Sequence, residues 1–225
     1  MRTLLRPREG AAATFARTRR PPASTPWREA PWCAVDLELT GLDRRRSEII
    51  AVGVVPIDEG RLVLGRAAYT LARPRARPER GAVLTHKLRA ADLAQAPPVG
   101  EAIELVLEAL AGRVPVFHTA IVERSFLGPQ FSRRRVRLPA AADTEVLGRL
   151  WLRQRDGVAP RGLRLAQLAA LLGQRAEPPH HALGDALTTA AAFVALASHL
   201  ERSGPQTVGS LVHADEQLGA RHRRF

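Results

Sequence analysis

The amino-acid sequence predicts a mixed α/β fold in which helices cover a β-sheet. Three observations carry this expectation. Apolar β-rich runs come first in the chain, helical apolar spacing dominates later, and short apolar strands interrupt the helical part. With 225 residues, 45% of them hydrophobic, the chain is long enough for one medium domain with its own core, at roughly 100–200 residues per domain.

Residues 1–30 carry Pro21, Pro22, Pro26 and seven arginines without sustained periodicity, and read as a disordered basic arm. The folded domain is expected over 31–200. Residues 32–38 form a short apolar run ending in two carboxylates, followed by a turn at Gly41 and the run Arg44-Arg45-Arg46. Residues 49–57 and 62–71 are β-rich runs joined by the turn Asp58-Glu59-Gly60, which makes an antiparallel meander. After a Pro/Arg loop at 74–80, Ala102, Leu105, Val106, Leu107 and Leu110 fall at helical spacing before Gly112. Then come a buried strand at 114–117, a helix at 122–131 and a brief strand at 136–139. Residues 143–152, 163–172 and 182–200 read as three helices, Gly173 ending the second. Residues 201–225 are expected as a polar, basic tail.

The formal net charge is +12, from 34 basic and 22 acidic residues. It is spread along the chain, with seven arginines against two glutamates in 1–30 and most of the remaining excess within 31–200. Such a surface favours polyanions, nucleic acid first among them. Lys87 is the only lysine, so compositional bias of a GC-rich genome explains part of the skew. A lone cysteine, Cys33, excludes disulfide scaffolds, multi-thiolate zinc sites and iron–sulfur clusters, and fits a reducing, cytoplasmic setting. The longest apolar stretch, 187–200, is interrupted by polar residues and falls short of the ~20 residues of a membrane span. No membrane helix or secretory signal is therefore expected.

Asp36 and Glu38 stand two apart at the end of the first strand, which points both carboxylates to one face of the sheet. Such a pair repels itself unless a cation lies between. Alone, an Asp-x-Glu is most often an exposed strand end. Here it sits in the frame Val35-Asp36-Leu37-Glu38-Leu39-Thr40-Gly41-Leu42, and two later segments follow: 114–127, with His118, Thr119 and Glu123, and His180-His181-Ala182-Leu183-Gly184-Asp185-Ala186.

These three segments, in this order and spacing, resemble the DEDDh 3′→5′ exonucleases of the ribonuclease H-like fold, the group that holds the proofreading subunits of bacterial replicative polymerases. The likeness runs from about residue 32 to 200. It extends to Leu84-Thr85-His86-Lys87-Leu88, Ala96-Pro97-Pro98, Asp143-Thr144 and residues 162–168. The resemblance implies a mixed five-stranded sheet with helices on both faces. It also implies metal-dependent release of nucleoside monophosphates from single-stranded or frayed 3′ ends of DNA or RNA, with a DNA polymerase or repair complex as a possible partner.

Carried over residue by residue, the resemblance makes Asp36 the bridge between two divalent ions, Mg²⁺ or Mn²⁺. Glu38 and Asp185 hold the ion on the side of the attacking water, and Glu123 lies toward the second ion on the leaving-group side. His180, five residues before Asp185, is the general base, and His181 is left without a role. The chemistry suits these residue types: hydrolysing a phosphodiester stabilises charge on two oxygens at once, which two ions ~3.5–4 Å apart can do. Hard ions take oxygen ligands, and an imidazole of ordinary pKa ~6.5 accepts a proton near neutral pH.

The sequence departs from the family at Glu123, where Asp is usual, and at Thr119, where Asn is usual. The longer carboxylate keeps the charge and changes the reach. Two alternatives therefore stand beside the DNA exonuclease: an RNA-trimming exoribonuclease, and a nucleic-acid-binding module whose second metal position has been weakened. Other features have plainer readings. His118 reads as a structural histidine, and His86 as a groove-lining or loop residue. Residues 167–172 read as a packed helix stripe that only faintly resembles a sliding-clamp peptide. Arg44-Arg45-Arg46 and Arg133-Arg134-Arg135 read as solvated runs that could track phosphates. Trp27, Trp32 and Trp151 are too scattered to form a stacking platform.

Overall fold

A computed structural model describes residues 10–220. The part of the expected arm in 1–9, and residues 221–225, lie outside the described residues. In chain order the elements are α1 (Gly10–Arg17), β1 (Trp32–Leu39), β2 (Ile49–Asp58), β3 (Arg61–Leu62), β4 (Ala68–Leu71), α2 (Arg80–His86), α3 (Ala90–Leu93) and α4 (Val99–Leu110). There follow β5 (Val114–Phe117), α5 (Ile121–Arg133), β6 (Ala142–Asp143), α6 (Thr144–Asp156), α7 (Leu165–Leu171), α8 (Ala182–Glu201), α9 (Val208–Val212) and α10 (Ala214–Ala220).

The sheet order is β3-β2-β1-β5-β6, with β4 also paired to β2. β3 and β4 bond successive stretches of the same edge of β2, so six strands fill five positions. The expected strand at 62–71 is thus two strands joined by a 3-10 turn at Leu64–Arg66. β1 and β2 are antiparallel, whereas β1–β5 and β5–β6 are parallel. This is the mixed sheet the sequence predicts. The strand expected at 136–139 is absent. The last strand is instead Ala142–Asp143, beside β5, because the pairing register of the parallel edge selects those two residues over the more β-prone ones before them.

Alternation along β1 divides the core. Trp32 and Ala34 face one side, packed with Phe193, Leu196 and Ala190 of α8 and with α6. Cys33, Val35, Leu37 and Leu39 face the other, packed with α1, α4 and α5. Asp36 and Glu38 continue the first alternation, on the α8 side. α8 is long and apolar enough to cross a membrane by length and composition, but its apolar side chains are those of the core. Ala182, Ala186, Ala190, Phe193, Leu196 and Ala197 are all buried in it. Truncating Phe193, fully buried and tilted against Trp32 at 4.6 Å, is expected to cost about 3–5 kcal/mol.

Two expectations at the ends of the chain are corrected. Residues 10–30 are not a disordered arm. α1 docks on α4 with Ala11, Ala12 and Phe15 buried, and Phe15 meets Phe131 edge-on at 5.3 Å. Trp27 is fully buried against Phe193, and its carbonyl accepts from Trp32 Nε1 at 2.8 Å. The arginines hid these apolar anchors by dominating the composition; Arg20 and Arg28 lie over the Phe15 and Trp27 rings. Nor are residues 201–220 a polar tail, because Val208, Leu211 and Ala214 enter the core. The two end segments meet in a bridge between Pro26 and Thr207.

Candidate active site

The site forms where β1 runs out. Asp36 pairs with Gly53 of β2, and Glu38 with Ala51, just before the register shifts at Leu39. Gly53 is a spatial requirement. A Cβ built there would lie 2.2 Å from the carbonyl oxygen of Ala182, so the first turn of α8 rests directly on β2 beside Asp36. That contact brings Asp185, one turn into α8, to the β1 carboxylates. Ligand oxygens of Asp36, Glu38 and Asp185 lie within 4.8 Å of one another.

Glu123 approaches from the other side, in the first turn of α5. It is 5% exposed, and its Oε2 has no hydrogen-bond partner. It stands outside the tight trio, yet among neighbouring carboxylates it is the strongest influence raising the pKa of Asp36. The turn that launches α5 is held by Asp143, whose two oxygens accept from the Thr119 N–H at 3.0 Å and the Ala120 N–H at 2.8 Å. The same carboxylate caps α6 by accepting from the Glu145 N–H at 2.9 Å. His118 bonds Thr144 Oγ1 through Nδ1 at 2.9 Å, which is the structural role expected of it.

The third segment bends sharply at His180, whose φ is +66°. Its N–H donates to Asp185 Oδ2 at 2.7 Å, so the carboxylate that joins the trio also fixes the backbone of the candidate base. The His180 side chain is exposed at the mouth of the site. His181 has a role that sequence reasoning left blank. Its Nδ1 accepts the Gly184 N–H at 3.4 Å as the cap of α8, and its ring stacks on Tyr69 at 4.7 Å. His86, at the end of α2, is buried with Nε2 unpartnered, and burial first, then nearby His180, lowers its pKa. It therefore lines the inner wall instead of an outer loop.

Burial and mutual repulsion dominate the electrostatics. Desolvation, and then Glu123, Asp185 and Glu38, hold the Asp36 carboxyl well above the usual range. Desolvation and Asp185 raise Glu38 to about 7. Desolvation raises Glu123 to about 8, against the opposing pull of its own backbone N–H. Desolvation also raises Asp185, opposed by the His180 N–H and the charges of both histidines. Four carboxyl groups in water-poor space, one with an orphaned oxygen and no arginine or lysine among them, make an oxygen-donor set for a hard divalent cation. Asp36, Glu38 and Asp185 could hold one ion together, and Glu123 with Asp36 could hold another.

A mixed sheet of this order, with carboxylates converging at the end of its central strand, defines the ribonuclease H-like class of α/β fold. The exonuclease family model RNase_T matches residues 33–193, and the chain belongs to that family of 3′→5′ exonucleases. A DNA polymerase III subunit epsilon-like protein of Rhodobacter capsulatus is 30% identical over 193 residues, which is 84% of this chain and 27% of that protein. The chain thus spans about a quarter of the length of that relative. Among solved structures, Exonuclease X in complex with 5′ overhanging duplex DNA shares the fold at a TM-score of 0.60 and 20% identity, over 81% of this chain and 98% of that one. E. coli Exonuclease I in complex with a dT13 oligonucleotide gives 0.63 and 15%, over 77% and 42%. A 3′-exonuclease that recognises the 3′ end of the histone mRNA stem-loop gives 0.60 and 15%, over 79% and 66%.

Proposed function

We propose that this domain hydrolyses the terminal phosphodiester bond at 3′ ends of single-stranded or frayed DNA, releasing nucleoside 5′-monophosphates, with Mg²⁺ or Mn²⁺ held by Asp36, Glu38, Asp185 and Glu123. The convergence of the first three carboxylates within 4.8 Å carries the reading. When bound, two such ions supply the positive charge that stabilises the attacking and leaving oxygens together. His180, exposed beside Asp185 and pinned by its own N–H, takes the proton from the attacking water. The water oxygen bonds to phosphorus, the bond to the 3′ oxygen breaks, and the departing strand end takes a proton from solvent. Glu38 and Glu123 are buried and Asp36 and Asp185 half-buried, so their interaction with a cation is stronger than it would be in bulk water.

The R. capsulatus relative's name supports a DNA polymerase as partner; a repair complex and a cytoplasmic setting belong to the same proposal. RNA is the alternative substrate, since one structural neighbour engages histone mRNA. A second alternative, a binding module with a weakened second metal position, is favoured by the place of Glu123 outside the trio of Asp36, Glu38 and Asp185. The test is degradation of matched 3′-labelled DNA and RNA oligonucleotides by purified protein with Mg²⁺, Mn²⁺ or EDTA, alongside Asp36→Asn. Metal-dependent release of mononucleotides that Asp36→Asn abolishes is the expected result. Binding without cleavage in either metal defeats the enzymatic reading.

A further inference from the structure

Beside the carboxylate site lies a groove of about 820 Å³ whose wall carries Arg44, Arg45, Arg46, Arg73, Arg75 and Arg133. These come from three places far apart in sequence: the β1–β2 turn, the loop after β4, and the last turn of α5. Glu48 is the only acid on the wall, and its Oε2 is occupied by the backbone N–H groups of Arg75 at 2.6 Å and Ala76 at 3.3 Å. Among the described residues, Arg44, Arg45, Arg73, Arg75 and Arg133 form no ion pair, and Arg46 reaches Asp43 only at 3.9 Å with its side chain mostly in solvent. Contrast Arg134, next in the same run, which turns away to bind Glu104 at 2.9 Å. Six arginines, five of them without an ion pair among the described residues, are therefore gathered on one wall, where their charges repel each other unless an anion lies among them.

None of the four carboxylates lines the groove, but two of its residues are near neighbours of them along the backbone. Its Ile49 is the register partner of Leu39, one residue past Glu38. Its Phe126 lies less than one helical turn beyond Glu123 on α5. From Glu123 to Arg133 the helix rises about 15 Å at ~1.5 Å per residue, which matches about four phosphates of a stacked strand at ~3.4 Å each. Guanidinium groups bind phosphate oxygens through paired N–H donors and stay charged at any working pH.

We propose that this groove is a second binding site, distinct from the carboxylate cluster, that holds the phosphodiester backbone of the substrate strand several nucleotides from the cleaved end. The proposal rests on the exonuclease reading for the identity of the strand. Its arginines set affinity for long strands and its salt dependence, without reading sequence.

The test is binding of a fluorescent single-stranded oligothymidylate of about 20 nucleotides, in EDTA, across a potassium chloride series, because log affinity falls with log salt by about 0.7 per phosphate contact on single strands. For the combined Arg44→Gln, Arg45→Gln, Arg46→Gln variant the slope is expected to flatten by about 2, with at least a roughly tenfold loss of affinity at low salt. Arg133→Gln alone, on α5 and so independent of any change in the turn, should flatten it by about 0.7. A charge-matched control removes Arg28, Arg155 and Arg202, of which Arg28 and Arg202 lie at the end of α8 far from Asp185. It should change the slope by less than half as much. Equal flattening in the control, or an unchanged slope in both groove variants, overturns the proposal and leaves the groove to an acidic protein surface or to none. Failure of the exonuclease reading shows separately, as a parent protein that cleaves no labelled strand with Mg²⁺ or Mn²⁺ while the slopes still report on the groove.

Discussion

Asp143 holds Thr119 in a left-handed turn: its Oδ1 accepts the Thr119 N–H at 3.0 Å while the Thr119 φ stands at +62°. A β-branched residue is a genuine outlier there, and the left-handed region costs an ordinary residue roughly 1–2 kcal/mol. Asn, the usual family residue at this position, tolerates the conformation. Thr119→Asn is therefore expected to stabilise the protein by about 1 kcal/mol in urea unfolding with the m-value unchanged. Asp143→Ala should do the reverse and lower activity about tenfold or more, since it frees the turn that aims Glu123. Activity equal to the parent in Asp143→Ala would show that the start of α5 holds its place unaided.

Gly53 supplies the second expectation. A methyl group there meets the backbone carbonyl of Ala182 at 2.2 Å, a partner that no rotamer change can move aside. Overpacking of this kind costs about 1–3 kcal/mol or more. Because the clash pushes the α8 start away from Asp36, Gly53→Ala should lose divalent-ion affinity, measured by calorimetry with Mn²⁺, beyond what the stability loss explains. Unchanged Mn²⁺ affinity in a folded Gly53→Ala protein would refute this account of how Asp185 is placed.

The two histidines are predicted to separate. His180→Ala should lower turnover by about 10²–10⁴-fold, the range of general-base contributions, with Mn²⁺ affinity nearly intact. His181→Ala loses a helix cap and a ring stack on Tyr69, so its main effect should be a stability loss of about 1 kcal/mol and a smaller fall in turnover. A larger turnover defect in His181→Ala would place the base one residue later.

How much of this was legible in the sequence depends on how local the signal was. Asp36, Glu38, His180 and Asp185 lie within short stretches of fixed spacing, so the order of segments placed them before any coordinates. Strand alternation likewise gave the carboxylate face of β1. The duties of Gly53, Asp143 and Tyr69 were hidden because each arises from a contact between elements distant in the chain: β2 with α8, β6 with the β5–α5 turn, β4 with the α8 cap. Charge hid more. Phe15 and Trp27 are single aromatic anchors in arginine-rich surroundings, and composition averaged them away. The arginine runs were visible, but only folding shows that Arg44–46 and Arg133 share a wall while Arg134 is already paired.

The carboxylate cluster should make the metal-free protein pH-sensitive. Glu38 is raised to about 7 and Glu123 to about 8 from an ordinary value of 4.5, so the folded state holds protons that the unfolded state releases. For acids raised in this way, stability is highest below the unfolded pKa. It falls as pH climbs through the window from 4.5 to about 8. In EDTA, the melting temperature should drop by at least several degrees between about pH 5 and pH 9. Mn²⁺ should recover much of that loss at the alkaline end, because it binds the ionised form. A melting temperature that rises across the window in EDTA would contradict the burial of these groups.

Glu123 offers the sharpest discrimination, because the same residue bears on stability and on catalysis with opposite signs. Gln keeps the shape and removes the charge. In EDTA at high pH, Glu123→Gln should be more stable than the parent, since a buried carboxylate with an orphaned oxygen no longer has to ionise beside Asp36. With Mg²⁺ or Mn²⁺ present it should lose at least about tenfold in kcat/KM, a barrier increase of roughly 1.4 kcal/mol, because a negative oxygen donor is missing from the second metal position. Asp shortens the reach by one methylene while keeping the charge, and should retain measurable activity if the gap is bridged through water. If Gln cleaves like an active parent, Glu123 contributes nothing to the site and some other acid completes it. If the parent is inactive and Glu123→Asp restores cleavage, the extra methylene has silenced the second metal position, and the domain is a binding module on an exonuclease fold.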